Sequence, residues 1–337
     1  MLSQKIKDKA KALGFAGCGI IPSSVFSEYT KYLDERINTF PNSRKYYENY
    51  ECPDYATPPK QGKSIVVATQ GYNDYVSPDG LEGLFGKMYL FDNRISYSEE
   101  NRSNGEFETF LKILGLTIIE STLPARWAAV KAGLGKFGRN NFFYDSVHGS
   151  NIIVNTWVVD KVLNYDEPNT DIYLSACNDG CHKCIDACPT KALSGKFSMD
   201  AKKCICRVQF DGGYALSDEI RNEMGAWIYG CDDCQDVCPV NKTNVNKTKK
   251  FPLNDEFKEL IHPEAIMSMN EDTYKNVVNP RFWYAGEGSL WLWKCNALRS
   301  MINSGDKKYH SIIKESCNNP DSRISEMAKW GCAKLVI

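Results

Sequence analysis

The sequence predicts an α+β fold in three consecutive regions: a mixed α/β domain over residues 1–165, a cysteine-rich module over 166–250 and a helical tail over 251–337. Three observations support this prediction. Apolar runs with strand and helix periodicity alternate up to residue 163, nine of the 14 cysteines lie between Cys177 and Cys238, and amphipathic helical patterns dominate the last region. A chain of 337 residues has room for two or three domains at roughly 100–200 residues each.

The first region alternates predicted helices and strands. Residues 3–15 show helical spacing of apolar side chains, and the segment contains Gly14 near its end. The β-branched run SIVVATQGY predicts a strand, whereas PARWAAVKAGLG begins with proline and ends with glycine, as helices often do. The predicted elements are a helix over 3–15, strands over 17–21 and 64–72, a helix followed by a strand within 107–121, a helix over 124–135 and a strand over 150–163. This alternation predicts a layered α/β domain.

The middle region is rich in cysteine and glycine, and its predicted elements are short. Such a region buries little apolar surface, so we expect bound metal to stabilise it. The polar segment 241–250 predicts a linker to the tail. The tail segments LWLWKCNALRSMINSG and HSIIKESCNNPDSRISEMAKWGCAKL predict successive amphipathic helices.

The overall composition excludes some partners. With 41 Lys plus Arg and 42 Asp plus Glu, the formal net charge is −1, so no overall basic field attracts nucleic acid or membrane. The N-terminal segment lacks the apolar core of a secretory signal, and no window approaches the roughly 18 apolar residues of a membrane span. We therefore expect a cytoplasmic protein with no membrane partner. The cysteines outside the dense window are expected to be small buried hydrophobic residues: Cys18, Cys52, Cys295, Cys317 and Cys332.

The cysteine spacing predicts two iron–sulfur clusters in a ferredoxin-like module. The first run is Cys177-x3-Cys181-x2-Cys184-x3-Cys188-Pro189, and the second is Cys231-x2-Cys234-x3-Cys238-Pro239. In two-cluster ferredoxins the last cysteine of a run ligates the cluster of the other run. This crossing predicts two ligand sets: Cys177, Cys181, Cys184 and Cys238 for the first cluster, and Cys188, Cys231, Cys234 and either Cys204 or Cys206 for the second. The alternative is zinc, which favours two CxxC pairs or mixed Cys/His sites.

Together with these runs, AVKAGLGKFGRNN (129–141), AKKCI (201–205) and IYGCDDCQDVCPVN (228–241) resemble the epoxyqueuosine reductase family. The resemblance extends from IKDKAKALGFAGCGI near the start to RISEMAKWGCAKL near the end, and so covers most of the chain. It implies an oxidoreductase with two [4Fe-4S] clusters and cobalamin, a corrinoid, that completes queuosine synthesis in tRNA. An external low-potential donor would reduce the clusters, which would in turn reduce the cobalt. The resemblance assigns the fourth ligand of the second cluster to Cys204, leaves Cys206 spare and implies a HEAT-like tail.

The resemblance also implies where the corrinoid binds. The positions that match the family's cofactor loop are Arg126, Gly133, Leu134, Gly135, Gly138 and Asn140. Glycines let the backbone approach a flat macrocycle closely. The alternative is that these glycines form an ordinary helix C-cap and turn.

Departures from the family pattern affect the catalytic residues and the substrate. Glu120 is the carboxylate nearest to the position of the family's proton donor, and it would act as an acid if burial raised its pKa. The alternative interpretation of Glu120 is a solvated carboxylate at the end of a strand. Tyr97, with Tyr89 and Arg94, is a candidate donor in a stretch that has no clear family match.

The tail segment NPRFWYAGEGSLWLWKCNAL has tryptophan and tyrosine where the family has arginines, with only Arg281 and Lys294 as cations. Weak phosphate binding would make tRNA a doubtful partner and would favour a small-molecule reductase similar to the related reductive dehalogenases. A protein of another class, a non-catalytic two-cluster electron carrier, is a further alternative.

Overall fold

The computed structural model describes residues 1–92, 94–95, 98–167, 169, 175–195, 197–210, 216–242 and 248–337. The fold is mixed α/β. The strands in these ranges are β1 Gly17–Pro22, β2 Ser64–Gly71, β3 Tyr75–Val76, β4 Ile118–Ile119, β5 Lys136–Phe137, β6 Phe143–Tyr144, β7 Ile152–Val159, β8 Leu193–Gly195, β9 Ser198–Met199 and β10 Lys249–Lys250.

Helices account for most of the remaining regular structure. They are α1 Leu2–Ala12, α2 Ser27–Thr39, α3 Arg44–Tyr50, α4 Lys87–Phe91, α5 Arg102–Ile113, α6 Ala125–Lys131, α7 Lys183–Asp186, α8 Ile205–Val208, α9 Asp218–Glu223, α10 Asp233–Asp236, α11 Asp255–Leu260, α12 Pro263–Ser268, α13 Glu271–Thr273, α14 Leu290–Ser304, α15 His310–Ser316 and α16 Ser322–Leu335. A π-helical turn, Tyr274–Val278, follows α13.

The central sheet has the strand order β1-β2-β7-β4, and every neighbouring pair is antiparallel. Alternate residues of β2 point to opposite faces, as the two-residue period of a strand requires. Ile65 and Val67 pack with α2 and α6 on one face, whereas Val66 and Ala68 pack with α1 and α5 on the other. Burial on both faces explains why the β2 sequence reads as a continuous apolar run.

The helices and strands predicted between residues 1 and 163 are confirmed. Several ends differ from the prediction: the helix predicted over 3–15 ends at Ala12, and the strand predicted over 150–163 spans Ile152–Val159. The helix predicted over 124–135 ends at Lys131. Gly133 follows with φ +72°, and the backbone N–H groups of Gly133 and Leu134 donate to the carbonyls of Val130 and Ala129 at 3.0 Å each. This is the Schellman arrangement, which satisfies the last carbonyls of a helix through a left-handed residue.

The chain then turns back through a tight hairpin formed by β5 and β6. A Cβ on Gly135 would collide with the backbone carbonyl of Tyr144 and the ring of Phe143, and a Cβ on Gly138 would collide with the Tyr144 ring. These two glycines therefore allow the paired strands to approach each other.

One hydrophobic cluster joins all three predicted regions. It contains Leu90 and Phe91 from the first, Tyr229 from the second, and Phe282 and Trp293 from the third, all of them buried. In addition, β10 pairs with β3 in parallel, so the described end of the predicted linker is attached to the first region. The regions thus share a core, and their boundaries at residues 165 and 250 stay a prediction.

The tail is helical as predicted, and its HEAT-like character stays a prediction. Helix α14 ends at Gly305, which adopts φ +65°, and α14 packs against α12 and α16. Within the described ranges, no helix combines the length and apolar character needed to cross a bilayer.

Substitution of the loop glycines should distinguish the stability cost of a side chain on a left-handed backbone from the cost of a Cβ that collides with a neighbouring strand. Gly135→Ala should destabilise the protein by about 3 kcal/mol, because the hairpin cannot widen without losing its pairing. Gly133→Ala should cost about 1 kcal/mol, because the residue is left-handed but its Cβ would face open space. Gly105→Ala, inside α5 and facing open space, is the matched control and should stabilise slightly. Thermal unfolding of anaerobically purified protein would contradict this account if Gly135→Ala were no worse than Gly133→Ala.

Candidate iron–sulfur centre and cofactor loop

Two one-turn helices bring the cysteine runs side by side. Cys184 lies on α7 and Cys234 lies on α10, and these two turns contact each other. The last cysteine of the second run, Cys238, is buried at 7% exposure, close to the 8% of Cys184. The two runs, separated by more than 40 residues of chain, therefore meet at their helical turns.

The first group of thiols surrounds Cys184. The pKa of this thiol is raised to about 11, chiefly by burial and in addition by charge interactions with Cys177, Cys238 and Cys181. The interacting set thus takes three cysteines from the first run and the last cysteine of the second run. It has the same four members as the ligand set predicted for the first cluster.

The second group contains Cys188, Cys204, Cys231 and Cys234. Burial is the largest cause of the raised pKa of Cys234, followed by charge interactions that include Cys204 and Cys188. Burial likewise raises the pKa of Cys231, which also interacts with Cys234 and Cys204. Charge interactions therefore connect the four predicted ligands of the second cluster through Cys204 and Cys234, and Cys234 also interacts with Cys184 of the first group.

Cys206 is engaged elsewhere. Its Sγ lies 2.9 Å from the Tyr89 hydroxyl, and burial raises the pKa of both groups. The Tyr89 ring packs edge-on against Tyr229 and Tyr284. The structure thus separates Cys204, which adjoins the other thiols, from Cys206, which faces an aromatic cluster.

Several donors point at cysteine sulfurs, as expected around cluster ligands. The backbone N–H of Arg139 donates to Cys177 Sγ at 3.3 Å, and that of Ala192 donates to Cys188 Sγ at 3.3 Å. The Tyr144 hydroxyl lies 3.5 Å from Cys238 Sγ. Hydrogen bonds of this kind stabilise thiolates and tune the potential of the cluster that they bind. The residues present therefore fit two four-cysteine clusters.

The zinc alternative requires a tighter arrangement. A zinc site places its ligand atoms about 2.0–2.3 Å from a single point. Across the part of the chain that the structure describes, no three His, Cys, Asp or Glu side chains are grouped closely enough to hold one metal ion.

Helix α14 supports the segment that leads into the second run. The fully buried Gln209 donates to the Trp227 carbonyl and accepts from the Gly230 N–H, both at 2.7 Å. Asn296 on α14 donates in turn to the Gln209 carbonyl at 3.2 Å. Further side chains of α14 that donate to carbonyls of residues 225–227 are Arg299, Ser300 and Asn303. The tail therefore fixes the backbone immediately before Cys231.

The predicted cofactor loop is bonded to the first thiol group. Asn140 is buried, its Nδ2 donates to the Tyr144 hydroxyl at 2.9 Å, and that hydroxyl reaches Cys238. The guanidinium of Arg139 donates to the Cys181 carbonyl at 2.9 Å. Arg139 thus contacts the first cysteine run directly, and Asn140 is connected to the second run through Tyr144.

The glycines of this loop have protein-internal roles. Gly133 is the left-handed residue that ends α6, and Gly135 and Gly138 accommodate the β5–β6 hairpin. The Leu134 side chain packs against the core close to Gly17 of β1. The alternative of a helix C-cap and turn therefore describes the local geometry, and corrinoid contact by these residues stays a prediction.

Arg126 belongs to an ionic network beside the loop. Its guanidinium donates to the Asn141 carbonyl and lies 3.3 Å from Glu51, and its side chain is 36% exposed. Glu51 also pairs with the buried Arg36 at 2.6 Å. A single carboxylate thus fixes two arginines at the end of the predicted cofactor loop.

The predicted catalytic residues are less well supported. Glu120 is exposed just after β4, so the burial on which its predicted acid role depends is lacking, and a solvated strand-end carboxylate matches this position. Tyr97 lies outside the described residues. Arg94 makes a bidentate interaction with Asp92 at 2.7 and 2.6 Å.

Sequence reasoning missed Tyr144, Glu51 and Gln209. Tyr144 stands four residues after Asn140 on the returning strand of the hairpin, and a predicted turn at 138–142 would have suggested their proximity. Glu51 and Gln209 carry no local motif, because their partners lie far away in the sequence.

The comparisons with known proteins agree with this geometry. Residues 176–241 match the family described as 4Fe-4S double cluster binding domain. This segment contains both groups of four cysteines. The module is therefore an iron–sulfur domain.

Relatives match over most of their length. The epoxyqueuosine reductase of Prochlorococcus marinus is 37% identical over 270 residues, which cover 75% of this chain and 82% of that protein. The epoxyqueuosine reductase of Cyclobacterium marinum is 29% identical over 295 residues, which cover 83% of this chain and 90% of that protein.

Among solved structures, the fold is similar to that of an epoxyqueuosine reductase crystallised with an epoxyqueuosine-modified tRNA-Tyr stem loop. The TM-score is 0.80 at 22% identity, and the match covers 99% of this chain and 90% of that chain. Sequence relatives, cluster domain and fold agree, and the chain belongs to the epoxyqueuosine reductase family.

Proposed function

We propose that this protein is a cobalamin- and iron–sulfur-dependent reductase that acts on epoxyqueuosine in tRNA. The observation that carries the proposal is the bonded path from the predicted cofactor loop to the first thiol group, through Asn140, Tyr144 and Cys238. A non-catalytic electron carrier would not require this connection. Family membership supports the type of reaction.

Two observations support a corrinoid beside the loop. The missing Cβ of Gly133 has no heavy atom of the described residues within 4 Å, although the neighbouring glycines are packed against protein. Arg126 is partly exposed and fixed by Glu51. We infer that Gly133 and Arg126 lie on the side of the loop that the corrinoid approaches. When bound, the clusters carry single electrons and the corrinoid supplies the cobalt that they reduce.

The residues between the loop and the cysteines position the groups and shape the local field. The Tyr144 hydroxyl donates a hydrogen bond to Cys238 Sγ, and the Asn140 Nδ2 donates a hydrogen bond to the Tyr144 oxygen. Burial and the neighbouring Cys238 both raise the pKa of Tyr144, so the hydroxyl remains a donor over the physiological range. Glu51 accepts from Arg36 and Arg126 and so orients the latter toward the loop.

An aromatic platform could receive a nucleobase of the substrate. Trp283 is 45% exposed and stacks on Tyr284 with ring centroids 4.0 Å apart at 18°. The Arg94 guanidinium lies 5.7 Å from the Trp283 ring and 5.4 Å from the Tyr284 ring. Aromatic and guanidinium planes are the groups on which unpaired RNA bases stack. Tyr284 also packs against Tyr89, whose ring lies against Gly230 next to Cys231, so the platform lies near the second thiol group.

A reductase of a smaller molecule is the second candidate, and Arg281 favours it. This arginine was a possible phosphate contact, but it is buried and paired with Glu100 at 2.7 Å, and it also donates to the Leu90 carbonyl. The Arg281 guanidinium is therefore paired with groups inside the protein. The tail segment accordingly offers less charge for an RNA backbone than the family pattern implies.

Purified without oxygen, the protein should bind about one corrinoid per chain, and its gene should restore queuosine in a strain that lacks the reductase. Absence of corrinoid binding with both clusters intact would contradict the proposed enzyme. Corrinoid binding without restored queuosine would instead favour the small-molecule reductase.

The Trp283 platform gives a sharper test of the substrate. Trp283→Ala should weaken binding of an epoxyqueuosine-containing stem loop about tenfold, because stacking on one base contributes roughly 1–3 kcal/mol. Trp330→Ala, which removes a partly exposed tryptophan from α16, is the matched control and should leave binding unchanged. Equal effects of the two variants would rule out the platform.

Replacing Cys204 and Cys206 one at a time should show which of the two thiols ligates the second cluster. Cys204→Ser should lower the iron content from about eight to about four per chain, because the second cluster loses a thiolate. Cys206→Ser should keep about eight, because this thiol bonds to Tyr89 rather than to the cluster. Iron and sulfide analysis of anaerobic protein gives the answer, and the reverse pattern would exchange the two assignments.

Removal of the Tyr144 hydroxyl should lower the potential of the first cluster. A donor to a ligating sulfur stabilises the more negative, reduced state, so Tyr144→Phe should shift the potential by about 20–60 mV toward negative values, corresponding to one hydrogen bond of roughly 0.5–1.5 kcal/mol. Tyr165→Phe removes a hydroxyl that bonds to the Lys63 carbonyl and serves as the control. Redox titration followed by electron paramagnetic resonance measures both, and an unchanged or raised potential in Tyr144→Phe would refute the role.

A further inference from the structure

Two cysteines of the tail, which sequence analysis treated as isolated buried residues, lie side by side in the fold. Cys317 and Cys332 are 15 positions apart in the chain, and their Sγ atoms are 3.4 Å apart. Cys317 immediately follows α15, and Cys332 lies near the end of α16. The packing of α15 against α16 brings the two thiols together.

Both thiols of this pair are partly exposed, whereas a third tail cysteine is not. Cys317 and Cys332 are of intermediate exposure, and Cys295 on α14 is fully buried. Burial and the neighbouring Cys317 thiol raise the pKa of Cys332, and the Lys314 ammonium offsets only part of this shift, so the thiolate that attacks disulfides forms more readily at alkaline pH. The pair therefore combines proximity with access from solvent.

We propose that Cys317 and Cys332 are a thiol–disulfide exchange site that forms a reversible bond between α15 and α16. The oxidant is a low-molecular-weight disulfide. One cysteine thiolate attacks it, forms a mixed disulfide and releases one small thiol. The second cysteine then attacks the mixed disulfide, forms the Cys317–Cys332 bond and releases the other small thiol. The two protein thiols lose two electrons and two protons, and the small disulfide gains both.

This bond would stabilise the part of the tail that supports the second cysteine run. Helix α16 packs against α14, and α14 carries the Asn296 side chain that holds Gln209. A cross-link near the end of α16 restricts the opening of the terminal helix. The site lies outside the proposed catalytic machinery, so it stands or falls independently of the proposed function.

The test uses the intact protein with its clusters, treated anaerobically with oxidised glutathione. Remaining free thiols are then alkylated, and the digested peptides are analysed by mass spectrometry. We expect one peptide pair that links Cys317 to Cys332, with two hydrogens lost and no glutathione retained, and its reversal by dithiothreitol. Cys295 should be neither linked nor glutathionylated, and the cluster absorbance should not change.

Single serine variants provide the matched controls. Cys332→Ser should retain one glutathione on Cys317, because no neighbour remains to displace it, and Cys317→Ser should retain one on Cys332. Hydrogen exchange in the last turn of α16 should slow in the oxidised wild type and in neither variant. Two separate adducts on the wild-type pair, or no reaction at either thiol, would overturn the proposal. The wild-type peptide map decides the question even if a serine variant fails to fold.

Discussion

The structure depends on the meeting of two cysteine runs, in which the last cysteine of each run lies with the thiols of the other run. Cys184 and Cys238 come from different runs and lie buried in the same group of thiols. Burial disfavours the thiolate form, as the raised pKa of about 11 at both Cys184 and Cys204 shows, yet metal ligation requires thiolates. The positive charge of the iron has to offset this cost. Folding of the module and assembly of its clusters are therefore coupled.

The surrounding fold holds the two runs in place from three sides. The loop at residues 138–144 donates to sulfurs of the first group. The start of α4 is bonded to the second run, because the Lys87 N–H donates to Asp232 at 2.8 Å. Helix α14 fixes the segment before Cys231 through Asn296 and Gln209. These contacts explain why the module needs the long segments on both sides, although a two-cluster domain by itself requires only a short chain.

The same contacts relate structure to chemistry. The first thiol group adjoins the predicted cofactor loop through Tyr144, whereas Gly230, next to Cys231 of the second, lies against Tyr89 and the aromatic residues that continue to the exposed Trp283. The two groups therefore face different surroundings, and donors to their sulfurs differ accordingly. Since hydrogen bonding and exposure set cluster potentials, the two clusters are expected to differ in potential.

The sequence by itself indicated an iron–sulfur domain and the order of helices and strands, because spacing, periodicity and turn residues act over a few positions, and it predicted which thiols ligate. It also indicated the family, through motifs around Gly133 and the two cysteine runs. Tertiary structure alone decided what depends on distant partners. It placed Cys206 against Tyr89, enclosed Arg281 with Glu100, left Glu120 exposed and paired Cys317 with Cys332. The physical reason is that burial and charge pairing are properties of neighbours in space, and a local pattern of residues does not specify those neighbours.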